Sequence, residues 1–161
     1  MSHNLDKTDL KILQILQENG RITNLQLSNE IGLSPAPTLE RVRKLEKKGL
    51  ITSYHANANA EKLGIGIKAL IQISLARQME NAIAHFTRAI NEIPEIVECY
   101  QVTGKFDYQM MIMVEDIQAF ERLISQKLSK IDEIGEMESY VILSTIKKSH
   151  VIPLQYEGED D

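Results

Sequence analysis

LSPAPTLERVRKLEKKGLI, residues 33–51, reads as a single helix with one face committed to a core and another left basic. Ser34 is placed to cap it and Pro35 falls at the first helical position, where a missing N–H costs nothing. Gly49 supplies the stop after a lysine-rich last turn. Leu39, Val42 and Leu45 are the predicted buried stripe, while Pro37, Arg41, Lys44 and Lys48 recur at helical spacing along one edge. A line of cations on a rigid rod suits an anionic groove. The competing reading is an ordinary solvated face, steadied by an i,i+4 pair between Glu40 and Lys44. Leu50 and Ile51 then leave as the start of a strand.

Working upstream, Leu10, Ile12, Leu13 and Leu16 mark an amphipathic helix over about residues 6–19, and Leu25, Leu27 and Ile31 a shorter one ending near Gly32. The short link Gly32-Leu33-Ser34 joining it to the basic helix has the form of a helix-turn-helix, and a strand over residues 51–54 would add a wing. Double-stranded DNA is the partner such a module expects. The helix would enter the major groove with Ser34, Ala36, Pro37 and Thr38 near base edges and Arg41, Lys44 and Lys48 on bases or phosphates.

The net charge of −5 conflicts with nucleic-acid binding until it is divided. Residues 1–60 hold eight Lys+Arg against six Asp+Glu, and residues 61–161 hold ten against seventeen, so a front of +2 precedes a back of −7. Only the front is drawn to phosphate, and weakly, so useful affinity asks for several copies acting together. Cys99 is the single cysteine and has no intramolecular partner. The charged start MSHNLDKTD lacks a signal peptide's apolar run, and no stretch approaches the roughly 18 apolar residues of a membrane span, so the expectation is a cytoplasmic protein with no membrane partner.

The predicted organisation is a winged helix-turn-helix domain over 1–54, a linker or hinge strand over 55–64, a second domain over 65–152 and an acidic tail over 153–161. In the second domain Ile65, Ile67, Ala69, Ile71, Ile73 and Leu75 alternate with mostly polar residues as a half-buried strand. Ala82, Ile83, Phe86, Ala89, Ile90 and Ile93 return at helical spacing until Pro94. Strands follow over 97–102 and 108–114, a helix capped by Asp116 carries Ile117, Phe120, Leu123, Ile124, Leu128 and Ile131, and a strand over 137–146 closes the series. This β-α-β-β-α-β order is the ferredoxin-like split βαβ, an antiparallel sheet with two helices on one face; the fold class is α+β. The last two strands are apolar on both sides: Met111 and Met113 oppose Tyr108, Met110, Ile112 and Val114, and Val141 and Leu143 oppose Tyr140 and Ile142. A sheet covered on one face should show one polar side, so the second apolar side is expected to pack on another subunit. The alternative is that residues 151–156 cover it.

With these residues in hand, the chain resembles the Lrp/AsnC family, the feast/famine regulators. The resemblance rests on Leu5-Asp6, Asp9, Ile12-Leu13, Gly32-Leu33-Ser34, Arg41-Val42, Leu45-Glu46, Gly49 and Ile51, and on Gly104 with Phe106-Asp107-Tyr108. It implies a DNA-binding transcription regulator of amino-acid metabolism, dimeric through its C-terminal domain, with dimers assembled to octamers and an amino-acid effector held between them. By resemblance the effector site includes Gly104, Asp107 and Tyr108, with Ser139 and Tyr140 from the last strand. Gly104 suits a tight turn, and Asp107 is placed either to meet a ligand ammonium or to cap its own turn. Two departures are Asn59-Ala60, where an Asp-Pro pair is common, and the acidic residues Glu157, Glu159, Asp160 and Asp161 past the domain.

No catalytic residues, metal site or cofactor are expected. His3, His55, His85 and His150 form no ligand pair, and there is no Walker, G-x-G-x-x-G or G-x-S-x-G motif. Methionines 110, 111 and 113 read as core filler. The alternative function is an architectural, chromatin-compacting DNA binder that needs no effector.

Overall fold

Local signals place three helices in the first part of the chain. The computed structural model describes residues 5–76 and 80–154. Asp6 caps α1 (Lys7–Glu18) by accepting from the Asp9 N–H at 2.8 Å. A reciprocal capping box starts α2 (Asn24–Ile31): Thr23 Oγ1 accepts from the Gln26 N–H while Gln26 Oε1 accepts from the Thr23 N–H. Gly32, at φ 70°, ends it in the left-handed region that favours glycine. The basic helix, α3, spans Pro35–Lys47. Ile12, Leu13, Leu27 and Leu45 form the core of this unit.

Three expectations are corrected here. Leu39 is 39% exposed, and Thr38 takes its place in the inward stripe. Buried Thr38 is tolerated because its Oγ1 donates to the Ser34 carbonyl at 2.9 Å; Ser28 is satisfied likewise by the Leu25 carbonyl. Ser34 makes no side-chain cap; Pro37, at the third helical position, removes one of the two N–H groups a capping oxygen accepts from. The strand expected over residues 51–54 is not formed: among the described residues of this unit there is no second strand to pair with. Leu50 and Ile51 pack on the core instead, and Tyr54 donates to Glu46 Oε1 of α3 at 2.9 Å. Burial and this carboxylate push the Tyr54 phenol up to about 12.

The chain divides into Met1–Asn57 with Lys147–Asp161, and Ala58–Ile146. Residues 147–154 thus pack with the helices in the structure. Ile152 N–H donates to Gln17 Oε1 at 2.6 Å, Lys148 Nζ to Asn57 Oδ1 at 3.2 Å, and Leu154 packs on the helical core. The acidic residues of the tail lie outside the described residues. Leu154→Asp should therefore destabilise the helical unit by about 1–3 kcal/mol, the scale for burying a polar group without a partner, read by denaturant unfolding of the full chain.

In the second unit a short 3-10 turn, Glu61–Leu63, comes first, and Asn59 Oδ1 accepts from the Lys62 N–H at 3.0 Å, the same local cap an aspartate there would make. Then follow β1 (Ile67–Leu75), α4 (Glu80–Asn91), β2 (Ile96–Gln101), β3 (Tyr108–Val114), α5 (Ile117–Arg122) and β4 (Ile134–Val141). The antiparallel sheet has the order β2-β3-β1-β4. Ala69, Ile71, Ile73 and Leu75 of β1 and Tyr108, Met110, Ile112 and Val114 of β3 form one core with Phe86, Ile90, Leu123 and Leu128. The helices therefore cover one face, as the alternation predicts.

β4 starts and ends earlier than the expected 137–146. Gly135 allows the early start, because a Cβ there would sit 3.1 Å from the Ala76 nitrogen, beside the irregularity at Ser74 and Leu75. The early end follows from β1, which begins at Ile67 and leaves Leu143 and Ile146 exposed beyond the last pairing, Ile142 N–H to the Lys68 carbonyl. The second long helix is also broken: α5 passes into a π-type turn, Leu123–Lys127, and a 3-10 turn, Leu128–Lys130.

Candidate functional site

With Thr38, Val42 and Leu45 facing inward, a rise of about 100° per residue turns Ala36, Glu40, Arg43 and Lys47 outward. Ser34, Ala36, Pro37, Lys44 and Lys48 are exposed as predicted, and Arg43 and Lys47 join them. Among the described residues none of Arg43, Lys44, Lys47 and Lys48 makes a salt bridge, so their charge is available to an anion. Arg43 and Lys47 escaped the sequence reading because the stripe was drawn through Leu39. Asn24 Nδ2 donates to the Pro35 carbonyl at 2.8 Å, tying the start of α3 to α2.

Two predicted contacts leave this face. Thr38 is buried with its hydroxyl spent on Ser34. Arg41 Nη1 donates to Asp6 Oδ2 at 2.6 Å and to Asp9 Oδ1 at 2.7 Å, fastening α3 to the start of α1. These carboxylates raise the guanidinium further, and the Asp6 carboxyl is held below its ordinary range first by the Asp9 N–H and then by Arg41. Arg41 is thus part of the scaffold of the basic face.

In the second unit Gly104 sits exposed in the turn after β2 at φ 130°, a conformation L side chains rarely adopt, with nothing within 4 Å of where a Cβ would be. Asp107 closes that turn: its Oδ2 accepts from the Leu75 N–H at 2.8 Å, its N–H donates to the Ile73 carbonyl and its carbonyl accepts from Val102. Lys105 Nζ reaches Glu138 at 2.7 Å and Glu136 at 3.2 Å on β4, and Tyr140 donates to Glu138 Oε2 at 2.5 Å. Lys105 first, and then Tyr140, lower the Glu138 carboxyl, which in turn raises the Tyr140 phenol.

The five predicted effector residues are not brought together. Tyr108 is buried on the helix side with its ring 4.7 Å from Phe86, and Ser139 pairs with Ile71, placing it on that same side. Tyr140 pairs with Leu70 on the open side, linked through Glu138 and Lys105 to the turn of Gly104 and Asp107. Lys105, Glu136 and Glu138 were not singled out in the sequence; the i,i+2 spacing of the two glutamates on a strand was the available signal. The open side also carries Leu70, Met111 and Met113, half-buried, with Gln72 donating to Gln109 at 3.1 Å between them.

A family model of the Lrp/AsnC ligand binding domain matches residues 68–152, and a winged helix-turn-helix DNA-binding model matches residues 5–52. The chain belongs to the Lrp/AsnC family. The leucine-responsive regulatory protein of Haemophilus influenzae is 37% identical to it over 151 residues, 94% of this chain and 91% of that protein. The protein of the same name from Escherichia coli is 37% identical over 146 residues, 91% and 89% of the two chains. Among solved structures, a transcriptional regulator of Neisseria meningitidis in complex with L-Met has a TM-score of 0.90 at 36% identity, covering 93% of this chain and 97% of that one. An AsnC family regulator of Agrobacterium tumefaciens has a TM-score of 0.87 at 30% identity, covering 92% and 97%. This Lrp/AsnC chain is therefore a DNA-binding transcription regulator with a ligand-binding domain, and its relatives are regulators, not enzymes. Among the described residues no helix is long and apolar enough to cross a membrane.

Proposed function

We propose that the chain is a sequence-specific regulator of amino-acid metabolism genes, switched by an amino acid that binds beside the turn of Gly104 and Asp107. The likeness to the Neisseria regulator holding L-Met carries this reading, because it extends over nearly the whole of both chains. Tyr140 and its partner Glu138 flank the turn, and the carboxylates there offer an ammonium its partner. The test is a thermal-shift screen of the twenty common amino acids on the full chain: a ligand that binds only the folded state raises the melting temperature, with about 2.7 kcal/mol expected at a hundredfold excess over the dissociation constant. Asp107→Asn keeps an oxygen for the Leu75 N–H while removing the charge. We expect it to keep the unliganded melting temperature and lose the shift. A full shift in that variant would reduce Asp107 to a turn cap, and the absence of any shift in the native chain would favour the architectural, effector-free reading.

The working form in this proposal is a homodimer joined through the open side of the sheet, with dimers assembled to octamers. Half-buried Leu70, Met111 and Met113 support it, since an apolar side left to water is costly. Met111→Asp should convert the dimer to smaller species in sedimentation, because a carboxylate would be enclosed without a partner. A monomeric native chain at micromolar concentration would overturn the dimer. Two copies of α3 would read half-sites about 10 bp apart or a multiple of that.

A further inference from the structure

The start of α3 is held largely from outside the helix. Of its first three positions Pro35 and Pro37 have no N–H, so Ala36 alone keeps one, and Ser34 adds no side-chain cap. Within the helix Thr38 closes the opening turn, its N–H and Oγ1 both donating to the Ser34 carbonyl, at 3.3 and 2.9 Å. The other hold comes from α2. Half-buried Asn24 donates through Nδ2 to the Pro35 carbonyl at 2.8 Å, the one side-chain hydrogen bond from α2 into α3 among the described residues. Asn24 is itself well anchored, as the first residue of α2 and the neighbour of Thr23, whose N–H and Oγ1 are both closed on Gln26. On the connecting turn the Leu33 N–H donates to the Ser28 carbonyl at 2.9 Å, which fixes the chain up to the residue before Ser34. Beyond that point Asn24 is what ties the first turn of α3 to its neighbour.

We infer that Asn24 is a positioning residue for sequence recognition: through the Pro35 carbonyl it sets the angle at which Ser34, Ala36 and Pro37 meet base edges. Direct readout needs its contacting groups held within about 0.5 Å and 10–20°. Long cationic side chains on phosphate adapt to larger shifts, so loosening this turn costs discrimination between sequences and spares general affinity. A helix with its own cap would absorb the loss of one outside tie. With Ser34 uncapped and two prolines in the first turn, α3 has no such reserve. The inference rests on the reading of the chain as a sequence-specific regulator.

Fluorescence anisotropy of the full chain tests this on two probes: a duplex enriched from a randomised pool by the native chain, and a shuffled duplex of the same length and composition. The quantity read is the ratio of the two affinities, in which any loss of folded protein cancels. Asn24→Ala is expected to lower that ratio by about threefold to tenfold for each half-site, the worth of one net hydrogen bond, with the salt slope on both probes unchanged because no charge is removed. Asn24→Gln, which keeps an amide donor on a longer stem, should recover part of the ratio. Ser34→Ala combined with Asn24→Ala should lose less than the two single losses together, since both act on the same turn. A ratio kept in Asn24→Ala overturns the inference, as does a strictly additive loss in the double variant, which would mark a contact of Asn24's own with DNA. A native chain that enriches no sequence overturns the sequence-specific reading itself, and the inference with it.

Discussion

Replacing Arg43, Lys44 and Lys47 together by alanine is expected to abolish useful DNA binding while leaving the fold intact. The three side chains are exposed on the outward half of α3 and make no salt bridge within the described residues, so truncating them breaks no native ion pair. For every phosphate that a cation no longer neutralises, the slope of log affinity against log salt should flatten by about 0.9. In a dimer up to six cations go at once, which flattens the slope by about 5 units if all six neutralise phosphate. Filter binding or fluorescence anisotropy across a salt series reads both quantities. An unchanged slope together with unchanged affinity would take this face out of the interface. The opening turn of α3 should behave differently: Pro35 and Pro37 have no N–H to offer a phosphate, which leaves Ala36, Pro37 and the uncapped Ser34 hydroxyl for base edges. Ser34→Ala is therefore expected to change sequence preference more than salt dependence.

What the sequence disclosed and what it hid divide along the range of the interactions involved. The start of α5 was legible because its signal is local: Asp116 caps through the N–H three residues on. Asp6 and the box of Thr23 and Gln26 act within the same reach but were not singled out. The strand alternation of β1 and β3 was legible because one side is fully covered, which fixes the register of every side chain. Thr38 was misplaced because threonine counts as polar until its hydroxyl is seen bonded back to Ser34. Tyr108 was assigned to the ligand by resemblance, yet its position on β3 commits the ring to Phe86, a contact that no local pattern announces. The return of residues 147–154 to the helices spans 135 residues between Gln17 and Ile152, and the limits of β4 depend on how closely Gly135 approaches Ala76. Such long-range facts are set by packing, and a single sequence carries no local signature of them.

Arg41 makes the sharpest case, and Arg41→Met is expected to weaken the fold of the helical unit before it touches DNA recognition. Its guanidinium bridges Asp6, which caps α1, and Asp9, which is only 7% exposed. Methionine keeps the aliphatic stem but leaves the Asp9 carboxylate enclosed without its cation. Breaking a fully buried pair costs about 3–5 kcal/mol, and with Arg41 one-third exposed about 2–3 kcal/mol is the fitting expectation. For so small a unit that is a large share of total stability. Restoring balance by removing the stranded charge, in the double variant Arg41→Met with Asp9→Asn, should recover a substantial part of the stability, which a base-contacting role would not predict. The pH dependence has a definite sign. The Asp6 carboxyl is depressed in the folded state, so its contribution is present above the ordinary value of 3.8 and is lost as pH falls through the lower folded value. Denaturant melts between pH 7 and pH 3 on the native chain and both variants read these effects directly. A single variant that melts like the native chain but loses discrimination between operators would return Arg41 to the DNA face.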